Sequence, residues 1–513
     1  MNLLRCALAV CAFVIASNTC ASAEWRPPDL APTTATQSQV LATYARTAGT
    51  VDPRFAERRE RWTYVNGSRR LPVDVTVRGT DFRAALALGT AQYSSGRADG
   101  VRWRADGNGI THATLSDDQG DALDRLPQSV FPFSAGDCAL AGESSRFGAA
   151  WVLLDRAPRD KEHWFYVDKA TGRITREVTR EGGRTIVTVF DAFDGVTGAQ
   201  RPRHWRVNDG DAANDVDVTV DAVAPEPLSV FDVAIPQARR TFTAVGAAAD
   251  GILRLPARFT RDRIYVDVDV DGGHAEFILD TGTASITLDP SAARKRHWEP
   301  VLEHVTVPMM RIGALQLSDV STLAIPFGQG ILGYDFFLGH VVHIDYGRSV
   351  VEVLTPEAAA PAFTSGANVV IGAYVDEGMP LVHAAFGPAD GDRFALDTGS
   401  PSLYVMAPFA RRHAAEIAAH WIPASFGRGV GVTSRESYAE GSIVVSARRA
   451  ASFALGRWDF RDQVVGVQQD GNTSPDALDM PFDGIIGTDH MRLFDWWFDY
   501  DGGRIAMRRN SLR

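Results

Sequence analysis

The chain has 513 residues, of which 45% are hydrophobic and 22% charged, and it carries a formal net charge of −11. That apolar fraction excludes a wholly disordered chain and a polytopic membrane protein, and the length accommodates about two to four domains. The acidic balance repels phosphate backbones and argues against a nucleic-acid partner.

In chain order, residues 1–23 carry the three parts of a secretory signal. Arg5 supplies the positive start, residues 7–16 form a short apolar run, and Ala21-Ser22-Ala23 fits the small-x-small cleavage rule. The run is too short to span a bilayer, and no later stretch is long enough for an integral membrane segment. The expectation is a mature chain starting near Glu24, periplasmic or secreted. Cys6, Cys11 and Cys20 would leave with the signal, so Cys138 remains alone and no intrachain disulfide can form.

Residues 34–240 form a first block. It opens with a predicted helix over Gln37 to Ala48 and continues as short alternating segments at 164–167, 185–190, 216–220 and 230–235. Gly, Asp and Asn separate these segments, which predicts antiparallel hairpins. The helix end at 44–49, the Asp99-Gly100-Val101-Arg102-Trp103 segment, residues 166–174 and 190–193, Gly198 and Pro202 together resemble the curved half-barrel of periplasmic lipoprotein carriers and sorting factors. The resemblance implies a carrier for an apolar or lipidated ligand. The residues alone imply an antiparallel β domain accessory to the rest of the chain.

A small-residue stretch, 244–251, precedes a second block that begins near Arg263 and covers 262–354. A run at 355–361 reads as a linker to a third block, 368–510. The second and third blocks repeat each other. Phe277-Ile278-Leu279-Asp280-Thr281-Gly282-Thr283 matches Phe394-Ala395-Leu396-Asp397-Thr398-Gly399-Ser400. Ile331-Leu332-Gly333-Tyr334-Asp335 matches Ile485-Ile486-Gly487-Thr488-Asp489, and Ile344-Asp345-Tyr346 matches Phe498-Asp499-Tyr500. The repeat is too long for a solenoid unit and suits two duplicated lobes.

Two Asp-Thr-Gly motifs, each on an apolar strand and each followed by an apolar-apolar-Gly-x-Asp segment, resemble the aspartic proteases, specifically the retropepsin-like kind with two lobes in one chain, as in pepsin. The resemblance covers about residues 262–510. It implies a mainly β, bilobal fold preceded by a curved antiparallel sheet domain with one or more helices. It also implies an aspartic endopeptidase that acts on a polypeptide without metal or cofactor, as a monomer whose lobes form an intramolecular pseudo-dimer.

The chemistry follows from the residue types. Two carboxylates held together cannot both ionise, so they share one proton. One deprotonates a water while the other donates to the scissile carbonyl oxygen. Asp280 and Asp397 are the expected dyad. Gly282 and Gly399 leave the loops free of a Cβ that would obstruct the pair. By resemblance, Thr281 and Thr398 bond across the lobe interface, while Thr283 and Ser400 offer hydroxyls to the outer carboxylate oxygens. Asp335 and Asp489 read as helix N-caps.

The lobes differ in length between the two motifs: 53 positions separate Asp280 from Gly333, but 90 separate Asp397 from Gly487. The extra residues of lobe two include the glycine-rich run 426–432 and continue to 445. They are expected to form a flap hairpin over the substrate, with Tyr438 as its tip candidate. Lobe one, with 305–311 in the equivalent stretch, has no room for one.

Other signals are weaker. Gly328-x-Gly330-x-x-Gly333 lacks the βαβ setting of a dinucleotide site. Asp267-x-Asp269-x-Asp271-Gly272 ends at Ile278, where a calcium loop needs Glu, and instead reads as a strand and turn. No H-E-x-x-H or G-x-S-x-G run occurs, since residues 142–146 fail the latter at Arg146. The rival reading is a periplasmic carrier with a catalytically inactive bilobal domain.

Overall fold

The computed structural model describes residues 30–114, 138–156, 162–181, 184–208, 215–237, 239–245, 250–298, 304–325, 327–376, 378–425, 433–438, 441–469 and 482–510. The signal segment and the glycine-rich run 426–432 lie outside the described residues. The architecture is mainly β, as expected, and divides into two compact units, one ending at Gln237 and the other starting at Ala238.

The first unit is one 13-stranded antiparallel sheet. The chain runs outward from Glu57–Asn66 to Thr111–Thr114 at one edge, restarts at the other edge with Ala139–Ser144, and returns to Val216–Pro225, which pairs with Glu57–Asn66. Strand Glu57–Asn66 shows the period-two burial of a strand with one inward face: Arg58, Glu60, Trp62 and Tyr64 are buried. The inward charges are paired. Glu60 accepts from Arg58 Nε at 2.7 Å, Arg201 Nη1 at 2.6 Å and Trp62 Nε1 at 2.8 Å. Removing Glu60 would take the shared carboxylate from two buried guanidinium groups, leaving Arg201 with Asp194 at 3.6 Å and Arg58 with the Phe55 carbonyl at 3.0 Å, a change that costs about 3–5 kcal/mol.

The helix Gln37–Ala48 forms where it is expected because Thr36 and Gln39 make a capping box and Val40, Tyr44 and Ala48 recur on one buried face. The 230–235 segment is not a strand. Val230–Asp232 is a 3₁₀ turn whose Ser229 amide and hydroxyl bond to Asp232, so the local cap outcompetes the apolar pattern.

The second unit contains three sheets. Eight strands form lobe one, nine form lobe two, and six strands drawn from both lobes form a shared sheet. In the shared sheet the repeated strands Val341–Asp345 and Phe494–Asp499 pair antiparallel, with Ile344 opposite Trp496 and Asp345 opposite Asp495. The repeated Asp-Tyr ends are fastened alike, Arg348 Nε on Asp345 at 2.5 Å and Arg504 Nε on Asp499 at 2.7 Å.

The second unit begins earlier than composition indicates. Thr243–Ala244 pairs into lobe one, and Ile252–Leu255 pairs with Val350–Leu354 in the shared sheet. The run 355–361 is not an extended linker either. It starts a helix, Pro356–Thr364, with Thr355 as N-cap and Pro at the first position. Ala358, Ala359, Ala362 and Phe363 pack on Val341, Leu354 and Trp497, so the alanine-rich composition serves helix packing. Strand Ile264–Val270 alternates as expected, and Asp271 (φ 52°) and Gly272 (φ 81°) make the tight turn into Gly273–Leu279.

Candidate active site

Each lobe builds its Asp-Thr-Gly loop in the same way. Gly273–Leu279 runs parallel to Gly330–Leu332, and Ala389–Leu396 runs parallel to Gly484–Ile486. The strand ends are clamped where the aspartates begin: Asp280 N–H donates to Leu332 O at 3.0 Å and Asp397 N–H to Ile486 O at 3.1 Å. Phe277, Ile278, Leu279, Phe394, Ala395 and Leu396 are all buried, which explains why both approaches read as continuous apolar runs. Behind each loop a glycine permits close backbone contact. A Cβ on Gly333 would lie 2.5 Å from Thr283 O, and one on Gly487 would lie 2.6 Å from Ser400 O.

The two loops meet. Thr281 Oγ1 donates to Leu396 O at 2.6 Å and accepts from Thr398 N–H at 3.0 Å. Thr398 Oγ1 donates to Leu279 O at 2.7 Å and accepts from Thr281 N–H at 3.0 Å. Both threonines are fully buried, so these four bonds are sheltered from water and tie one lobe to the other by side chain to backbone contacts. Gly282 and Gly399 lie against the opposite aspartate. A Cβ on Gly282 would sit 2.5 Å from Asp397 Cγ, and one on Gly399 would sit 2.6 Å from Asp280 Cγ. Their role is clearance, because neither has a positive φ.

The carboxylates are supported unequally. Asp280 accepts from Gly282 N–H at 2.8 Å and from the Thr283 hydroxyl at 2.8 Å. Asp397 accepts from Gly399 N–H at 2.7 Å and Ser400 N–H at 3.0 Å, while the buried Ser400 hydroxyl has no partner. Serine therefore supports its aspartate through the backbone, unlike the hydroxyl bond expected from the sequence. Burial, then the charge of Asp280 and a hydrogen bond with its side chain, hold the Asp397 carboxyl well above the usual carboxylate range. The two amides oppose that shift without cancelling it. A pair in this relation holds one proton between two adjacent acids and titrates as a unit.

Asp335 and Asp489 are not N-caps. Gly333 and Gly487 cap the short helices Tyr334–Phe337 and Thr488–Met491, so the aspartates fall in the first turn. There Asp335 Oδ2 accepts from Ile286 N–H at 3.3 Å, and Asp489 faces Arg492 at 3.6 Å. The cause is backbone clearance: the tight approach of residues 333 and 487 to the loops admits only glycine at the cap position.

Strand Thr433–Tyr438 pairs with Gly441–Leu455 in a hairpin whose last pair is Tyr438 with Gly441. This register puts the Tyr438 backbone at the hairpin's turn. Lobe one has no such strand among its described residues: its hairpin His304–Ile312 with Leu315–Ala324 follows directly on the helix Pro290–Lys295 and residues 296–303.

Two residues near the dyad escape motif reasoning. Tyr346 and Tyr500, at the repeated Asp-Tyr ends, are buried with hydroxyls that find no partner. Burial raises both hydroxyls above the usual phenol range, and the nearby carboxylates add to it: Asp397 for Tyr346, and Asp280 with Asp397 for Tyr500. Tyr500 stacks on Phe337 at 5.0 Å and Tyr334 at 5.4 Å, and the Tyr334 amide bonds Thr283 O. The repeat that includes them was the available signal. Nothing in it distinguishes a tyrosine near the dyad from an ordinary strand residue.

Among the described residues no group of His, Cys, Asp and Glu could hold a metal ion, and no helix is long and apolar enough to cross a membrane. Cys138 is buried and forms no disulfide among the described residues.

No protein-family model matches the chain, and no curated protein matches it in sequence. Among solved structures it is similar to an aspartic proteinase from Irpex lacteus, with 11% identity, 51% of this chain and 98% of that chain covered, and a TM-score of 0.32. It is also similar to a LolA superfamily protein from Nitrosomonas europaea, with 12% identity, 39% and 98% covered, and a TM-score of 0.30. A DUF1329 family protein from Desulfovibrio piger is matched with 13% identity, 37% and 95% covered, and a TM-score of 0.28. At these scores the likenesses assign no family.

Proposed function

We propose that this protein is an exported aspartic endopeptidase whose dyad is Asp280 and Asp397. The observation that carries the reading is the reciprocal lock of Thr281 and Thr398, which brings the two Asp-Thr-Gly loops together with the Asp397 proton held up beside the Asp280 carboxylate. In the reaction, water bound between the acids gives a proton to the ionised carboxylate as its oxygen attacks the scissile carbonyl carbon. Protonated Asp397 donates to the carbonyl oxygen, and the tetrahedral diol then collapses with proton transfer to the leaving amine. Thr283 and the amides of Gly282, Gly399 and Ser400 hold the two carboxyl groups in position. The Thr433–Leu455 hairpin covers the extended substrate, with Tyr438 near its turn, and closure excludes water. Export rests on the signal-like residues 1–23.

The test is hydrolysis of an unfolded protein by the purified full chain, followed across pH. Cleavage blocked by a statine-type mimic of the diol, and lost in both Asp280→Asn and Asp397→Asn, is the expected result. Absence of cleavage at every pH, with an apolar ligand co-purifying, would replace this reading with the carrier.

A further inference from the structure

A cavity of about 330 Å³ lies beside the dyad, lined by Thr260, Asp262, Arg263 and Tyr265 from lobe one and by Gly399 and Pro401 from lobe two. Its Gly399 wall is the backbone that lies against the Asp280 carboxyl, so a side chain filling the cavity belongs to a substrate residue close to the scissile bond. The lobe-one wall is the turn between Ala257–Phe259 and Ile264–Val270, and it is tightly fastened. Thr260 N–H and Oγ1 both donate to Arg263 O at 2.9 Å, and Arg263 N–H donates to Thr260 Oγ1 at 3.1 Å. Arg263 therefore projects from a rigid base.

The charges in and beside the cavity are not equally matched. Asp262 faces Arg261 at 4.0 Å. Arg258, which lies over the Tyr265 ring, is bound by Glu276 at 2.9 Å. Among the described residues the Arg263 guanidinium meets only the ring of Phe327, 5.4 Å from its centroid, and no carboxylate. A cation–π contact leaves the planar N–H fork free to bind an anion bidentately.

We infer that Arg263 makes this cavity a subsite for an acidic side chain, so the enzyme selects substrates with Asp or Glu near the cleaved bond. The inference rests on the proteolytic reading and adds its substrate class. A carboxylate in the cavity would accept two parallel N–H bonds from Arg263. A bond of that charge-assisted kind is worth about 10- to 100-fold in kcat/KM over an uncharged residue.

The test uses the full chain and a peptide set in which each position within four residues of the bond carries Glu, Gln or Lys in turn. Wild type is expected to cleave the Glu peptide at least about tenfold faster than the Lys peptide at one position. Arg263→Gln should bring that ratio near one, and Arg263→Glu should invert it. Binding of the same peptides to Asp280→Asn, read by fluorescence anisotropy, should show the same order without turnover. Cleavage with a ratio that Arg263→Gln leaves unchanged overturns the subsite and leaves the protease standing. A wild-type preference for Lys also overturns it and moves the subsite to Asp262. A chain that cleaves none of the peptides overturns the protease and the subsite together.

Discussion

Lobe one and lobe two of the second unit carry the same Asp-Thr-Gly loop, yet they differ in what surrounds it. Lobe one passes from the helix Pro290–Lys295 to a single hairpin, whereas lobe two inserts Thr433–Tyr438 and lengthens the next strand to Gly441–Leu455. Lobe one gives its aspartate a hydroxyl bond from Thr283, while lobe two offers two amides and an unpartnered serine hydroxyl. The scaffold that fixes the carboxylates is symmetric, and the asymmetry lies in the residues that polarise and cover them. Burial and the neighbouring carboxylate, not these hydrogen bonds, raise the Asp397 carboxyl, because its two amides favour the ionised form.

Substitutions on either side of the lobe boundary test this asymmetry, and the hairpin should give the largest effect. Replacing residues 436–443 by a short turn should lower kcat/KM by about 100-fold with little change in unfolding temperature, the pattern of a segment that closes over substrate. An equal loss of folding stability would make the hairpin a structural strand. Thr281→Ala and Thr398→Ala each remove two buried bonds and should each lower unfolding free energy by about 2–3 kcal/mol in urea titrations. Unequal losses would show that the lock is not symmetric. Thr283→Ala should cost about tenfold in kcat/KM, whereas Ser400→Ala should stay within about twofold, because only the first hydroxyl bonds a carboxylate.

The smallest effect concerns pH. The native state holds the Asp397 proton more tightly than the unfolded chain does. The stability from this group is therefore full in acid and lost as pH rises through its raised native pKa. Asp397→Asn has no charge to desolvate, so it should melt above wild type near neutrality, with the gap closing below about pH 4. Histidines buried in both lobes, among them His340 and His490, act in the opposite sense. Burial pushes His340 and His490 down to about 4, so the native state refuses protons that the unfolded chain accepts below about 6.5. Stability of the unit should fall as pH drops through that interval, which a series of thermal melts would show. Acid that protonates the dyad also weakens the lobes that hold it.

Much of the fold and of the dyad is legible in the primary structure because the relevant signals are local. The apolar run into Asp280, repeated into Asp397, specifies buried strands that end at a loop, and the Thr36–Gln39 box specifies a helix start. The Pro356–Thr364 helix is not legible, because Pro and Ala are shared by linkers and by helix starts, and only its contact with Val341 and Trp497 separates the two. The positions of Asp335 and Asp489 within their helices are hidden too, because an N-cap depends on backbone dihedrals, and the close approach of Gly333 and Gly487 sets those.

The sequence by itself determined a mainly β chain, a tandem pair of Asp-Thr-Gly strands and the surplus of residues in one copy, since periodicity and repetition are written along the chain. Only the tertiary structure decided that the two aspartates share a buried site in which the Asp397 carboxyl is raised, that the Ser400 hydroxyl is idle, and that Thr260, Asp262, Arg263 and Tyr265 share a cavity with Gly399 and Pro401. Those outcomes depend on burial and on distances between residues far apart in the chain, and electrostatic energy at a site is set by these quantities.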